Sequence, residues 1–399
     1  MFAGNMGYLL AVTNAITLNR FSTFNPLIRY FSSQIIKPNK WWRPGTEDSA
    51  INEIRPYNIS FSEELVKDLK YKVRNSEIFV KPKLEKDRKK EMNMYTLCTL
   101  LRQWGYNYNF QEREKYINSN PHFITNVQGL DIHFIHIKPH VKKCNVKKRY
   151  MPLPLLLLHG WPSSVIEFYK DISLEKSREI IIPSLPGFGF SSAPTISGFS
   201  CIDMSVVLKN LMLKLGHDKF YVIDDRHDAI NSYIMSMLFP QHAYKDYSIF
   251  GYNNAYRERD YFFSEFTKKI VPVEKLLKKF GYLEDQASEI NKTDNVSEIN
   301  TINKAAEMNT IDNASEIDTI KIDLKDSPDA LAAYFMEIIL NRPSSKAYLT
   351  DEQKMHFYME TIDNLMMYWA PQCINTAIQV YDEQFKNLPN EFFKLLNNF

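Results

Sequence analysis

The chain has 399 residues, of which 44% are hydrophobic, enough for about two to three domains of typical size around packed cores. This composition excludes a disordered or collagen-like protein, and the four cysteines show no CxxC spacing typical of a zinc ribbon. The 49 basic and 47 acidic residues give a net charge of only +2, so the totals do not favour a nucleic-acid partner.

Residues 1–40 form a basic N-terminal extension. Five basic residues precede the first acidic residue, Glu47, and serine and threonine are interspersed among them. The apolar stretch at 7–18 is interrupted by polar residues and falls short of the roughly 20 residues of a membrane-spanning helix. A weak membrane anchor, a mitochondrial transit segment and an inert extension all agree with this composition.

A helical N-terminal domain is predicted over residues 41–125. Leu65, Leu69 and Val73 illustrate the helical spacing of its apolar residues, and no run of strand-forming residues interrupts it. Residues 126–138 then alternate polar and apolar side chains around Gly129, which predicts an antiparallel hairpin with one buried face.

The predicted α/β core covers residues 126–252. Three short, continuously apolar segments at 155–158, 180–182 and 220–223 predict buried strands, and each precedes a turn or a helix-compatible stretch. Buried strands that alternate with helices indicate a parallel sheet covered on both faces.

Residues 253–386 are predicted to form a helical cap that contains a disordered acidic insert at 286–323. The insert has no aromatic residue, glycine or proline, and eight acidic residues against three lysines give it a net charge of −5. Helical periodicity resumes at 327–340 and 354–386. Residues 387–399 are expected to be a truncated C-terminal end.

Two loops carry the first chemical signals. The buried segment at 155–158 runs into His-Gly-Trp-Pro at 159–162, and such a turn can point backbone N–H groups at a developing oxyanion. His159 itself need not be catalytic. The segment IIIPSLPGFGFS at 180–191 reads as a strand followed by the next strand-to-helix loop.

In this order and spacing the motifs resemble the α/β-hydrolase fold, and more narrowly the microsomal and juvenile hormone epoxide hydrolases. The resemblance covers nearly the whole chain apart from the first 40 residues and the acidic insert. It rests on WRPG at 42–45, the segment at 54–76, QEREKYIN at 111–118 with the hairpin after it, the segment at 324–340, and LMMYW at 365–369. The implied architecture is an α/β-hydrolase core with an N-terminal helical domain and a helical cap.

In that family an aspartate on a strand-to-helix elbow attacks an epoxide carbon, and a histidine backed by a carboxylate activates the water that cleaves the resulting ester. Two cap tyrosines hold the epoxide oxygen. The resemblance gives these tyrosine roles to Tyr282 and Tyr368, and an oxyanion-hole N–H to Trp161. Without the motifs, each tyrosine reads as a core residue with a satisfied hydroxyl. The implied ligand is a lipophilic epoxide, and no cofactor or metal is implied.

The sequence departs from the family at the elbow. The family pattern is Gly-Gly-Asp-Trp-Gly, whereas residues 224–228 read Asp-Asp-Arg-His-Asp and place Arg226 at the nucleophile position. A permanent cation cannot attack an epoxide carbon. Asp225 and Asp228 are poor substitutes, because a shift of one position turns a side chain away from the cleft.

A second departure concerns the far end of the sequence. No histidine follows His356, and the sequence ends about 30 residues after Tyr368. The catalytic histidine, its carboxylate partner and the last two core strands are therefore expected to be absent. Neither a GxSxG elbow nor an HExxH metal motif occurs in the sequence.

The sequence therefore predicts an epoxide hydrolase relative with weak or absent turnover, a pseudoenzyme. Two alternatives stay open: a non-catalytic binder of a lipophilic ligand, and a decayed gene product. The resemblance implies the endoplasmic reticulum or microsomal membrane as location, with a membrane surface as a partner.

Overall fold

The computed structural model describes residues 36–46, 50–76, 88–139, 152–175, 177–224, 230–245, 324–340 and 350–386. Within these residues, seven strands form one sheet in the order β1-β2-β3-β5-β4-β6-β7. The strands are β1 (Arg55–Tyr57), β2 (His122–Val127), β3 (Leu130–Ile137), β4 (Leu155–Leu158), β5 (Ile180–Pro183), β6 (Phe220–Asp224) and β7 (Ala243–Tyr244).

The three apolar segments predicted as strands are confirmed as β4, β5 and β6. Every residue of β4 and β5 is buried, as expected of central strands covered on both faces. β4 pairs in parallel with β5 and β6, and β7 adds a further parallel pair. The sheet is mixed rather than wholly parallel, because β1, β2 and β3 join it through antiparallel pairs.

The hairpin of β2 and β3 is confirmed, and it begins at His122, earlier than predicted. Its two-residue turn consists of Gln128 and Gly129, with φ angles of 53° and 84°. This is the turn type whose twist matches that of the strands. A Cβ at Gly129 would lie 2.7 Å from the ring of Trp41, so glycine is required both for its φ angle and for close approach.

The N-terminal unit is helical as predicted, but it also contains β1. Its helices are α1 (Glu63–Arg74), α2 (Arg88–Arg102), a π-helical turn (Gln103–Asn107) and α3 (Phe110–Ile117). α1 begins where the Ser62 hydroxyl accepts a hydrogen bond from the Leu65 amide (3.2 Å), and it buries Leu69 and Val73.

Six more helices surround the sheet and its N-terminal unit in the described residues: α4 (Tyr169–Leu174), α5 (Cys201–Lys214), α6 (Ile230–Leu238), α7 (Pro328–Leu340), α8 (Asp351–Trp369) and α9 (Ile374–Lys386). α7 packs against α1 and α2, and α9 packs against α5. α8 packs against a short 3₁₀-helical turn (Val165–Phe168) that precedes α4. In the parts of the chain described above, none of the helices combines the length and apolarity needed to cross a membrane. The proposed domain boundaries stay predictions, and β2 runs across the one at residue 125.

A buried ion pair fastens the N-terminal unit to α8. Asp363 on α8 accepts hydrogen bonds from Nε (3.0 Å) and Nη2 of Arg113 on α3, and from the Tyr108 hydroxyl (2.8 Å). The Asp363 side chain has no exposed surface. Because burial destabilises its charge, it raises the pKa of Asp363, and the Arg113 guanidinium opposes that rise.

Candidate active site

The loop after β4 carries Trp161 and is held in shape by His159. The backbone N–H of Leu185 donates to Nε2 of His159 (3.0 Å), and Nδ1 of His159 donates to the Gly160 carbonyl (3.1 Å). Since Nε2 is an acceptor, the ring carries its proton on Nδ1 and is neutral. These bonds give His159 a role in shaping the turn.

Glu167 also stabilises the loop that carries Trp161. Its carboxylate accepts hydrogen bonds from the Gly160 amide (3.2 Å) and from the Ser163 hydroxyl. The Trp161–Pro162 peptide bond between them is cis. The backbone around Trp161 is therefore constrained on both sides.

The Trp161 ring lies in an aromatic cluster. It stacks on Tyr381, with 5.4 Å between ring centroids and 25° between planes, and it meets Tyr368 edge to face at 5.8 Å. The other rings around Trp161 are those of Phe188, Tyr334 and Phe335. Stacked and edge-to-face pairs of this kind stabilise the packing beyond the area they bury.

Tyr368 is only 1% exposed, and its hydroxyl donates to the Ser163 carbonyl at 2.5 Å. The phenol of α8 therefore reaches the loop that carries Trp161. Tyr334 of α7 hydrogen-bonds the Trp161 side chain, and burial raises the pKa of Tyr334, so its phenol stays neutral. Only the general resemblance of the segment at 324–340 signalled Tyr334 in the sequence.

The carboxyl end of β6 lies beside the carboxyl end of β4, the strand that the Trp161 loop follows. Leu158 at the end of β4 pairs with Asp224 at the end of β6, so the two strands end at the same edge of the sheet. α6 begins at Ile230. Arg226 falls between these elements in the sequence, but it lies outside the described residues, as does Tyr282.

Asp224 is buried at the end of β6, and its Oδ2 atom accepts a hydrogen bond from the backbone N–H of Ser232 in α6 (2.7 Å). Lys245, just after β7, is an electrostatic neighbour. Burial lowers the pKa of Lys245 to about 8, and the negative charge of Asp224 opposes that shift. The Asp224 carboxylate thus contributes to holding α6 and to balancing a buried lysine.

Comparison with known proteins decides the family. Residues 54–168 match the model of the epoxide hydrolase N terminus, and residues 154–223 match the α/β hydrolase fold. The chain is 32% identical over 375 residues to juvenile hormone epoxide hydrolase of Bombyx mori, covering 87% of this chain and 74% of the relative. The chain belongs to the epoxide hydrolase family. Epoxide hydrolase 1 of Oryctolagus cuniculus is 29% identical over 379 residues, with 86% and 76% covered.

Solved epoxide hydrolase structures agree with the fold. The crystal structure of juvenile hormone epoxide hydrolase from Bombyx mori superposes with a TM-score of 0.60 at 30% identity, covering 88% of this chain and 81% of that chain. The Aspergillus niger epoxide hydrolase superposes with a TM-score of 0.56 at 24% identity, covering 85% and 80%, and it supports the fold alone. The α/β-hydrolase fold predicted from the sequence is thereby confirmed.

Of the four predicted site residues of this epoxide hydrolase relative, two are described and lie together. Trp161 and Tyr368 meet in the aromatic cluster. Their catalytic roles, and those of Arg226 and Tyr282, stay predictions. Tyr368 has the satisfied hydroxyl of a core residue, so in this state its phenol is engaged by the protein itself.

Proposed function

We propose that this epoxide hydrolase relative recognises a lipophilic epoxide beside Trp161 and Tyr368 but opens the ring weakly or not at all. The relatives named juvenile hormone epoxide hydrolase make juvenile hormone the first ligand to test. The observation that carries the proposal is the position of Arg226, two residues after the end of β6 and four before the start of α6.

Arg226 lacks the chemistry of the nucleophile. Ring opening by this route requires a carboxylate that forms a carbon–oxygen bond to the epoxide while the epoxide oxygen leaves as an alkoxide. The Arg226 guanidinium has no basic lone pair at neutral pH. Asp224 offers no replacement, since its Oδ2 atom is bonded to the Ser232 amide within the buried core.

The recognition half of the proposal rests on Tyr368 and Trp161. A phenol can donate to an epoxide oxygen if it exchanges its bond to the Ser163 carbonyl for one to the ligand. The buried aromatic rings around Trp161 provide an apolar wall of the kind that binds lipophilic ligands.

Single-turnover incubation with radiolabelled juvenile hormone or a styrene-type epoxide tests both the recognition of the epoxide and the impaired ring opening. Protein in excess over ligand is assayed for diol and for retained intact epoxide, with Tyr368→Phe and Tyr334→Phe as matched variants. We expect retention without diol, weakened by Tyr368→Phe more than by Tyr334→Phe. Diol formation well above that of the Tyr368→Phe variant would refute the proposed impairment.

The second candidate is a binder that never reacts with its ligand. The intact aromatic cluster and the buried core favour it over a decayed gene product, which has no selection to keep such packing. Soluble expression with a single cooperative unfolding transition is the expected result for a binder. Aggregation of the full chain on expression would favour the decayed product.

We infer an endoplasmic reticulum location with contact to the membrane surface, from the resemblance of the sequence to the microsomal epoxide hydrolases. Fractionation of cells that express the full chain tests this, with recovery in the microsomal fraction as the expected result. Recovery with mitochondria would support the transit-segment alternative instead.

A further inference from the structure

Three side chains that the function above does not use form a compact cluster. Nε2 of His136 lies 2.6 Å from Oε1 of Glu179, and Nε2 of His217 lies 3.4 Å from the same oxygen. One ligand atom from each residue lies within 4.8 Å of those of the other two. The three residues lie far apart in the sequence, so no spacing motif indicates them.

The cluster lies at the edge of the sheet opposite the Trp161 loop. Glu179 directly precedes β5, and His217 comes three residues before β6, so both mark the amino ends of parallel strands. His136 is near the end of β3, which runs antiparallel and pairs with Ile181 of β5. The Trp161 loop leaves from the carboxyl end of β4 instead.

The imidazole of His217 is prepared to act as a ligand. Its Nε2 atom is buried and, although 3.4 Å from Glu179, makes no hydrogen bond of good geometry. The side chains of His136, Glu179 and His217 retain 13%, 26% and 15% exposure, so the cluster lies near the protein surface although the Nε2 atom of His217 is itself buried.

We propose that His136, Glu179 and His217 bind one Zn²⁺ ion through the two Nε2 atoms and a carboxylate oxygen. Two imidazoles and one carboxylate form a ligand set that zinc accepts, with water completing a tetrahedron. Zinc bonds of about 2.0–2.2 Å place tetrahedral ligand atoms roughly 3.3–3.5 Å apart. The His217–Glu179 distance of 3.4 Å already matches this separation.

Binding requires the His136–Glu179 pair to rearrange. His136 and Glu179 now share a hydrogen bond of 2.6 Å, so the ion displaces the proton between them, and the two atoms separate by about 0.7 Å to reach tetrahedral spacing. Zinc takes the lone pair of Nε2, so this proton passes by way of solvent to Nδ1 of the same ring, and binding requires the Nδ1–H tautomer of His136. The bound ion would join β3, the start of β5 and the segment that precedes β6, and so stabilise this edge of the sheet.

Calorimetric titration of the full chain, stripped of metal with a chelator, tests the proposal directly. We expect one Zn²⁺ per chain and a rise in unfolding temperature on binding. Co²⁺ in place of zinc is expected to show the visible absorption of a tetrahedral nitrogen and oxygen site.

His217→Ala, the more conservative His217→Gln, and Glu179→Gln are each expected to raise Kd at least about tenfold. His356→Ala is the matched control, because His356 pairs with Glu360 at 3.1 Å on the surface of α8, and no third histidine, cysteine or acidic residue joins them within the described residues. It is expected to leave Kd unchanged. Absence of stoichiometric binding, or binding that survives both His217 changes, overturns the proposal.

Discussion

Replacing Arg113 by methionine tests how the N-terminal unit is fastened to α8. The Arg113 side chain is 20% exposed, whereas that of its partner Asp363 is fully buried. Methionine keeps much of the length and apolar surface of arginine but removes the charge. The change therefore leaves a buried carboxylate whose remaining described partner is the Tyr108 hydroxyl.

The size of the effect follows from that burial. Removing one member of a buried ion pair destabilises the folded state by about 3–5 kcal/mol. Tyr108→Phe removes one hydrogen bond to a charged group and is expected to lower the free energy of unfolding by about 1.5–3 kcal/mol. Lys170→Met breaks the more exposed ion pair with Glu360 and is expected to lower the free energy of unfolding by about 0–1 kcal/mol.

Urea denaturation of the three variants measures these differences. Without Arg113, the pKa of Asp363 rises further in the folded state. The folded protein then binds a proton at Asp363 at pH values where the unfolded chain, with an aspartate pKa of about 3.9, does not. The free energy of unfolding that Arg113→Met loses at pH 8 is therefore partly regained as the pH falls. Adding Asp363→Leu to Arg113→Met should also restore stability. A loss by Arg113→Met no larger than that of Lys170→Met, at every pH, would refute the reasoning.

Two further predictions concern the core. Gly189→Ala is expected to lower the free energy of unfolding, measured by urea denaturation, more than Gly198→Ala does. Both glycines have a positive φ angle, but of the two only Gly189 would place a Cβ against a neighbour, 2.7 Å from the Ser184 hydroxyl oxygen. Equal losses in the two variants would contradict a steric clash at Gly189. His133 accepts from Ser184 and donates to His122, and burial lowers the pKa of both histidines. The folded state therefore binds fewer protons than the unfolded chain, and the free energy of unfolding should decrease as the pH falls below about 6.5. His122→Gln should reduce that decrease, and an unchanged pH dependence would contradict this account.

The central strands could be predicted from the sequence because their signal is local. β4 is a run of four leucines and β5 begins with three isoleucines, and such runs between turn-forming residues indicate strands buried on both faces. β1 was missed because Arg-Pro-Tyr has no apolar signature. It forms because the edge of β2 offers backbone partners to residues Arg55–Tyr57.

The candidate site was predictable only in part, because its members come from distant segments. Trp161 and Tyr368 were indicated by motifs, but contacts with Tyr334 and Tyr381 depend on how α7 and α9 pack against the Trp161 loop. Contacts of this kind produce no recognisable spacing of residues in the sequence. The cluster of His136, Glu179 and His217 has no sequence signal for the same reason.

The most direct test of the account is detection of the alkyl-enzyme ester by intact-protein mass spectrometry after incubation with a styrene-type epoxide. Loss of a catalytic nucleophile lowers rates by about 10⁶-fold, equivalent to about 8 kcal/mol in the activation free energy. The account predicts no adduct on the chain with Arg226 and a stoichiometric adduct at residue 226 in Arg226→Asp. An adduct on Asp225 or Asp228 of the unaltered chain, or none in Arg226→Asp, would contradict the assignment of the nucleophile position.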